Sequence, residues 1–500
     1  MLRGSTRSRR CVRIRPEVLA CALLCAPHPA LAQARATAPI AGIPSPSGIR
    51  PSALDRPVPI SLVDAVALGV RDNRDIRAAF LERAAQRFRL RAAEQRFAPR
   101  LDVLADIYRD DRAGIVTHQG SVGGVGSLLL PSGAQIGFVW DRRQRLDRRG
   151  DSDVATLAVT QPLLRGGGFA VNRAPLRIAR LQDSIERLAL RNTLSEGISR
   201  IAFAYRSLQQ AQEQVRLAEF ALGRTADLIA TNRALIDAGR MAAADIVQSE
   251  ADQANQQVAL HQMRQQRNSA QLALLEQLAL DPVTNIVAAD PIAAEQVPID
   301  TEHAIEIARA SRMDLLAQQR SVQQAQEGLR LARNQRLWDL SLVATATRFA
   351  GRDPLLGPLP TLNDNRVGVQ LAIPLGDPAP KLAVIEADTS LRTAELRLEA
   401  LDQSVETQVR DAAQRVEAAW SQVEAARRFK ALSARAVEIA RDKLAAGRSS
   451  NFEVLSLQDA LRAAEIQELA SMISYLDALT SFDLQIGATL ESWKIEWSAE

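Results

Sequence analysis

Most of this 500-residue chain is written twice, and no other feature of the sequence limits its fold so tightly. Ile60-Ser61-Leu62-Val63-Asp64-Ala65-Val66-Ala67-Leu68 resembles Ile299-Asp300-Thr301-Glu302-His303-Ala304-Ile305-Glu306-Ile307. The shift is 299 − 60 = 239, and it holds without a gap through Asp75/Asp314, Leu90/Leu329 and Leu101/Leu340. Further on, Gln161-Pro162-Leu163 matches Ile373-Pro374-Leu375, a shift of 373 − 161 = 212. Ala238-Gly239-Arg240 then matches Ala446-Gly447-Arg448, a shift of 446 − 238 = 208. Landmarks of different kinds, recurring in one order, indicate a duplication. The first copy carries about 239 − 212 = 27 extra residues, within the Gly-rich stretch that ends near Trp140 and the residues just beyond it.

Each copy reads as helix, strands, long helix, turn, helix. In the second, Leu398, Leu401, Val405, Val409, Ala412, Val416, Ala419 and Val423 step by threes and fours. In the first, Leu194, Ile198, Ile201, Tyr205, Leu208 and Val215 behave alike. This is coiled-coil spacing, with small alanines between that allow close approach. An ordinary helical bundle shares the spacing, and length separates the two. From Phe169 to Ile236, and from Pro380 to Ala446, proline falls only near the start of each run. Helices of ~65 residues would reach ~100 Å, far more than a globular domain needs.

Between the helices the period changes to two. Leu101, Val103, Ala105 and Ile107 alternate with Asp102, Leu104, Asp106 and Tyr108, and similar runs cover 154–160, 339–346 and 366–373. Strands of about ten residues, apolar on one face and small or polar on the other, suit a water-filled membrane barrel, and a soluble sheet packed on one face reads the same way. The chain offers about four clear strands, below the eight or so needed for closure, so three copies giving about twelve are expected. Ala134, Ile136, Phe138 and Trp140 alternate with Gly133, Gln135, Gly137 and Val139. This extra segment is expected to be β-structure, and the sequence leaves open whether it joins the barrel wall or stands outside.

The N-terminus decides where such a barrel would stand. Arg3, Arg7, Arg9, Arg10, Arg13 and Arg15 precede an apolar stretch, Val18 to Ala26, then Ala30-Leu31-Ala32. A basic region, a short apolar core and a small-x-small site make residues 1–32 a secretory signal peptide, cut before Gln33. Val18-Leu19-Ala20-Cys21 imitates a lipoprotein site, but Arg13, Arg15 and Glu17 stand where its apolar run belongs. Cys11, Cys21 and Cys25 all fall in the signal, leaving the mature chain with neither disulfide nor thiol catalyst. No later stretch reads as a spanning helix, so an exported chain of this kind enters a membrane only as a closed β-barrel. Lys+Arg 62 against Asp+Glu 58 leaves a net charge of +4. The arginines are spread beside acids and glutamines, unlike the basic surface of a nucleic-acid binder.

The order of these features resembles the TolC family of outer-membrane efflux proteins across essentially the whole mature chain. The resemblance rests on the duplicated helix start from Ser61-Leu62, on Thr160-Gln161-Pro162-Leu163-Leu164-Arg165-Gly166, and on two tip sequences. Those tips run from Ala238-Gly239-Arg240-Met241 to Asp245-Ile246-Val247, and from Ala446-Gly447-Arg448-Ser449 to Glu453-Val454-Leu455. The resemblance implies a mainly α fold with a membrane β-barrel: a long coiled-coil helical tunnel and a barrel shared by a homotrimer. It implies partners as well, a periplasmic adaptor (a membrane fusion protein) and an inner-membrane transporter, with outer-membrane lipid around the barrel. The expected division is a signal peptide at 1–32, a Pro-rich leader at 33–58 and repeats at 59–282 and 299–490. A linker at 283–298 and a tail at 491–500 complete it. Strands are expected at about 100–161 and 339–375, and helical hairpins at about 169–280 and 380–487.

At the tips, Gly239 and Gly447 fall where a long helix must reverse, and glycine supplies the positive φ of a helix C-cap. Six residues beyond each stands an acid, Asp245 and Glu453, near the start of the returning helix, where a carboxylate favours the positive helix end. Repeated around a trimer, these acids would ring the tunnel mouth and attract cations. In the resembled family, links that close the mouth join an acid of the first tip to an aromatic and an arginine of the second. Here those second-tip positions hold Leu444 and Ser449, and Arg240 and Arg448 are the candidate replacements.

Other signals lead nowhere. Gly166-Gly167-Gly168 lacks the Gly-Lys-Ser/Thr ending of a phosphate loop and reads as a strand-to-helix change. His28, His118, His261 and His303 have no metal-ligand spacing. The run Asp141 to Arg149 reads as a solvated loop that on a barrel rim could meet lipid phosphates. No catalytic constellation, cofactor site or metal site is expected, so the chain reads as no enzyme. The rival reading is a periplasmic coiled-coil adaptor or scaffold, which shares export and long helices but lacks paired alternating strands.

Overall fold

Side chains set the same helix starts in both copies. The computed structural model describes residues 57–494 apart from 113–114, 146–149, 240–241, 354–356 and 447; the expected signal peptide and nearly all of the expected leader lie outside the described residues. After β1 (Val58–Ile60), helix α1 (Leu62–Asp72) opens on a capping box. In it Ser61 Oγ accepts from the Asp64 N–H at 3.1 Å, and the Asp64 carboxylate accepts from the Ser61 N–H at 3.2 Å. Asn73 ends that helix and caps α2 (Arg74–Glu94). In the second copy Asp300 caps α6 (Thr301–Ser311), followed by α7 (Met313–Gln335). The spacing is unchanged: 301 − 62 and 313 − 74 are both 239.

From α2 the chain enters β2 (Arg100–Arg112), then β3 (Ile115–Leu129), β4 (Gln135–Arg145) and β5 (Asp151–Pro162). A short α3 (Phe169–Asn172) leads into α4 (Ala174–Asp237), 64 residues long with Pro175 harmless in its first turn, and α5 (Asp245–Gln277) returns. The expected linker is not featureless. Within it β6 (Ile286–Ala288) pairs in parallel with β1. The second copy continues through β7 (Asp339–Asp353), the two-residue β8 (Gly357–Pro358) and β9 (Leu362–Ala372). Then come α8 (Ala379–Ala445), 67 residues long, α9 (Asn451–Ile486) and α10 (Thr489–Ser492). At ~1.5 Å per residue α8 spans ~100 Å. No helix among the described residues is long and apolar enough to cross a membrane.

One antiparallel sheet runs in the order β2-β3-β4-β5-β7, with β9 and the short β8 both on β7. Seven strands less β8 leave six long ones, which corrects the expectation of four. The surplus is the hairpin β3–β4. Its residues hide because Gly120, Gly124 and Gly126 erase the alternation of β3. Each stands opposite a large β2 side chain, Ile107, Val103 and Leu101 respectively, which covers the gap glycine leaves. The charged run from Asp141 is likewise no loop at its start: Asp141 to Arg145 continue β4, paired on both sides up to Gln144, and residues 146–149 lie outside the described residues.

The registers sort the sheet into two faces. One cross-strand row reads Leu128, Ile136, Val159, Ala344, Val367 across five strands. The next row on the other face reads Arg100, Ser127, Gly137, Ala158, Thr345, Arg366. The long hairpins bury the stripes expected of them: Leu194, Ile198, Ile201, Tyr205, Leu208 and Val215 on α4, and Val405 to Val423 on α8. The larger core gathers β1, α1, α2, α4, α5 and β6. There the Tyr205 hydroxyl directs its one proton between the Asp290 carboxylate at 2.8 Å and the Ile60 carbonyl at 3.0 Å, and burial with Asp290 beside it pushes the phenol up to about 12.

Candidate functional site

The two reversals of the long hairpins are where sequence placed the working residues. At the first, Ala238 closes α4 by donating to the Ala234 carbonyl at 3.1 Å, and Gly239 donates to Ile236 at 2.9 Å. Gly239 has φ +68°, and an added Cβ there would meet nothing within 4 Å. Conformation, and not space, therefore requires the glycine. Asp245 begins α5, but its side chain and Arg240 lie outside the described residues.

At the second reversal Gly447 also lies outside the described residues. On its far side Arg448 is exposed, and its backbone N–H donates to the Lys443 carbonyl at 2.8 Å. Ser450 caps α9, its Oγ accepting from the Glu453 N–H at 3.2 Å. The exposed Glu453 carboxylate accepts from Ser449 Oγ at 2.8 Å. That gives Glu453 a helix-end role, with Ser449 and not Arg448 as its side-chain partner. Leu444 is buried with Leu228, Ala440, Val454 and Leu455, a cluster that binds the end of one hairpin to the other.

Just behind this cluster the structure brings together polar residues that the sequence reading passed over. Asn232 Nδ2 of α4 donates to Ser249 Oγ of α5 and to Asn451 Oδ1 of α9, both at 2.9 Å, and Asn451 Nδ2 donates to Ser249 Oγ at 2.9 Å. All three residues are buried, so a single polar knot joins both hairpins. Deeper along the seam Gln256 Nε2 donates to Thr225 Oγ1 at 2.8 Å and to Asp252 Oδ2 at 2.6 Å. Burial, and then the charge of Asp459, push the Asp252 carboxyl up from the ordinary aspartate range. The seam is incompletely satisfied: Asn232 Oδ1, Gln256 Oε1 and both polar atoms of the Gln458 side chain are buried without partners. A signal existed. Ala221, Thr225, Leu228 and Asn232 step by four, three and four, so Thr225 and Asn232 occupy the apolar stripe of α4.

Among the described residues the tips carry the Glu453 carboxylate, the Asn232 and Asn451 amides and the Arg448 guanidinium, groups suited to hydrogen bonding and to electrostatic selection in water. Among the described residues no group of three or more His, Cys, Asp or Glu side chains is placed to hold a metal.

Residues 304–488 match the family described as outer membrane efflux protein. No curated protein matches the chain in sequence. Among solved structures, CusC is similar with a TM-score of 0.67 at 15% identity, covering 86% of this chain and 92% of its own. The Campylobacter jejuni CmeC outer membrane channel gives 0.66 at 14% identity, covering 86% of each chain. The open state of the Neisseria gonorrhoeae MtrE outer membrane channel gives 0.66 at 17%, covering 86% of this chain and 89% of its own. Residues 304–488 thus match the outer membrane efflux protein family, in the second of the two copies, and the chain as a whole shares the fold of solved outer-membrane channels.

Proposed function

We propose that this protein is one of three identical subunits of an outer-membrane channel-tunnel that passively conducts cargo out of the periplasm. An adaptor and an inner-membrane transporter would deliver that cargo, in a tripartite efflux or type I secretion system. On this reading the repeats at 59–282 and 299–490 form the wall, with the barrel in the outer membrane and the helical tunnel in the periplasm.

The observation that carries the proposal is the pair of matching open edges. Within one chain α2 packs on α4, α4 on α7 and α7 on α8, so α2 and α8 are the outer helices. Above them β2 and β9 are the outer strands, and every residue of β9 is exposed. The outer helices also leave large apolar side chains bare: Leu81 and Phe88 on α2, and Leu382 and Leu396 on α8. A long apolar edge strand invites pairing, and the occupant with the right length and polarity is the opposite edge of a second copy. β2 and β9 run in opposite directions, so head-to-tail association keeps the new pair antiparallel, and a closed ring abolishes the edges. The rival reading, a periplasmic scaffold, gives no work to a sheet of this kind.

Fractionation with cross-linking tests the proposal. The mature protein should sediment with outer membranes, cross-link as a trimer and form pores in planar bilayers. A soluble periplasmic protein without pore activity would refute it.

Asp245 and Glu453, each with an arginine five positions before it in sequence, Arg240 and Arg448, are the proposed gate. A trimer sets about six carboxylates around a narrow mouth, which raises the local negative potential and favours cations. Asp245→Asn with Glu453→Gln should keep the helix turns while weakening cation selectivity and raising conductance. Unchanged single-channel behaviour in an assembled trimer would leave these acids as helix caps, with a stability loss of roughly 1 kcal/mol as their only effect.

A further inference from the structure

The hairpin β3–β4 is absent from the second copy, yet it is no appendage. β2 pairs with β3 along all of β2, β3 pairs with β4 from Gln119/Arg145 to Leu129/Gln135, and β4 pairs with β5 from Gln135/Thr160 to Gln144/Asp151. A hairpin standing outside the wall would leave β2 and β5 to pair directly, and here the hairpin separates them. Its side chains also obey the division of the whole sheet: Ile136, Phe138 and Trp140 share the apolar face, while Gln135, Gly137 and Val139 share the face of Thr160 and Thr345. Trp140 closes the upper end of the apolar band, donating Nε1–H to Asp153 at 2.7 Å, as aromatics do at the membrane–water boundary.

The lower turn is seated as firmly. Gly168 N–H donates to the Ser132 carbonyl at 2.9 Å, and Ser132 Oγ donates to Gln161 Oε1 at 3.2 Å. Gly133 has φ +96°, and a Cβ there would stand 2.3 Å from the Gly166 carbonyl oxygen, so the turn lies directly on the strand-to-helix junction.

Resting on the trimeric reading above, we infer that β3–β4 is a permanent part of the wall. The channel is then an eighteen-stranded barrel, three copies of six long strands, closed by β9 of each copy on β2 of the next. Barrel diameter grows roughly in proportion to strand number, so this exit is about half again as wide as a twelve-stranded one, with about twice the cross-section. The barrel thus admits bulkier cargo at its outer end than the expected four strands per chain would allow.

Electron cryomicroscopy of the full mature protein in lipid nanodiscs counts the strands directly. The expected image is a three-fold barrel of eighteen. A trimer whose wall holds twelve, with β3–β4 outside it, overturns this inference and leaves the trimeric channel standing. A ring of any other number of copies overturns the trimeric reading and the count together. Because residues 33–500 contain no cysteine, single substitutions give a second measure in cells. Phe138 and Val139 are 43% and 44% exposed in one protomer, so lipid alone should separate them. Val139→Cys, facing the lumen, should react with a membrane-impermeant maleimide at least about tenfold faster than Phe138→Cys, facing lipid. Equal rates in an assembled trimer would place the hairpin outside the wall.

Discussion

Asn232 and Asp252 show how much rests on single side chains near the tips. Asn232 is fully buried and bridges α5 to α9, so Asn232→Ala strips a partner from both Ser249 and Asn451. Losing two buried hydrogen bonds, each worth about 1 kcal/mol net, outweighs the release of the unpartnered Asn232 Oδ1. The variant should melt earlier and be cut faster by protease near residue 240, and an unchanged melting curve would contradict this. Asp252 works in the opposite sense. Its carboxyl titrates above the usual range because of burial and of Asp459, so as an anion it opposes folding at neutral pH. A raised folded pKa means that stability is gained as pH falls through it. Asp252→Asn keeps an acceptor for Gln256 and Thr225 without the charge. It should therefore be more stable than wild type at pH 7, with the difference fading below about pH 4. A pH-independent gap in thermal melts would refute the electrostatic cause.

Along the elements, ion pairs fasten each seam between neighbouring helices. Arg83 of α2 binds Asp183 of α4, Arg177 of α4 binds Glu327 of α7 at 2.7 Å, and Arg224 of α4 binds Glu465 of α9 at 3.0 Å. The Arg177 hydrogen bond holds the Glu327 carboxyl below the usual glutamate range against a smaller opposing effect of burial. At Asp183 burial pulls upward, but the bonds from Arg83 and Arg187 prevail and leave it lowered. A lowered folded pKa contributes stability that is present above the unfolded value and lost as pH falls through the folded one. Glu327→Gln should thus destabilise the protein at pH 7 and lose its effect in strong acid, as scanning calorimetry across pH would show. The stripe positions of α4 and α8, the capped starts at Ser61 and Asp300, and the strands around Val103 and Val369 were all legible, because period and cap chemistry are local. Asn232 left a trace, since it falls on the apolar stripe of α4, but Ser249 and Asn451 did not. On single helices those two read as solvated polar residues, and only the packing of two hairpins buries them. β3 escaped for a related reason: glycine leaves no side chain to count, and its partners on β2 supply the surface.

At the scale of the whole molecule, four helices in each protomer connect to the sheet, α2, α4 through α3, α7 and α8, whereas six long strands stand above them. The strand pair without a helix of its own is β3–β4. Removing residues 113–145 should therefore let β2 pair with β5 and leave every helix in place. The shortened protein should still assemble as a trimer with an unaltered far-ultraviolet helical signal, and melt within about 5 °C of the full chain. Collapse of the helical signal would show that the hairpin supports the tunnel. Its lower turn rests on the crossing from Gln161 to Asn172, and no long helix hangs from it, so the hairpin should act as an added stave. On the channel reading, a lineage could add or discard such a stave, and so resize its exit, without rewriting the tips of the helical hairpins.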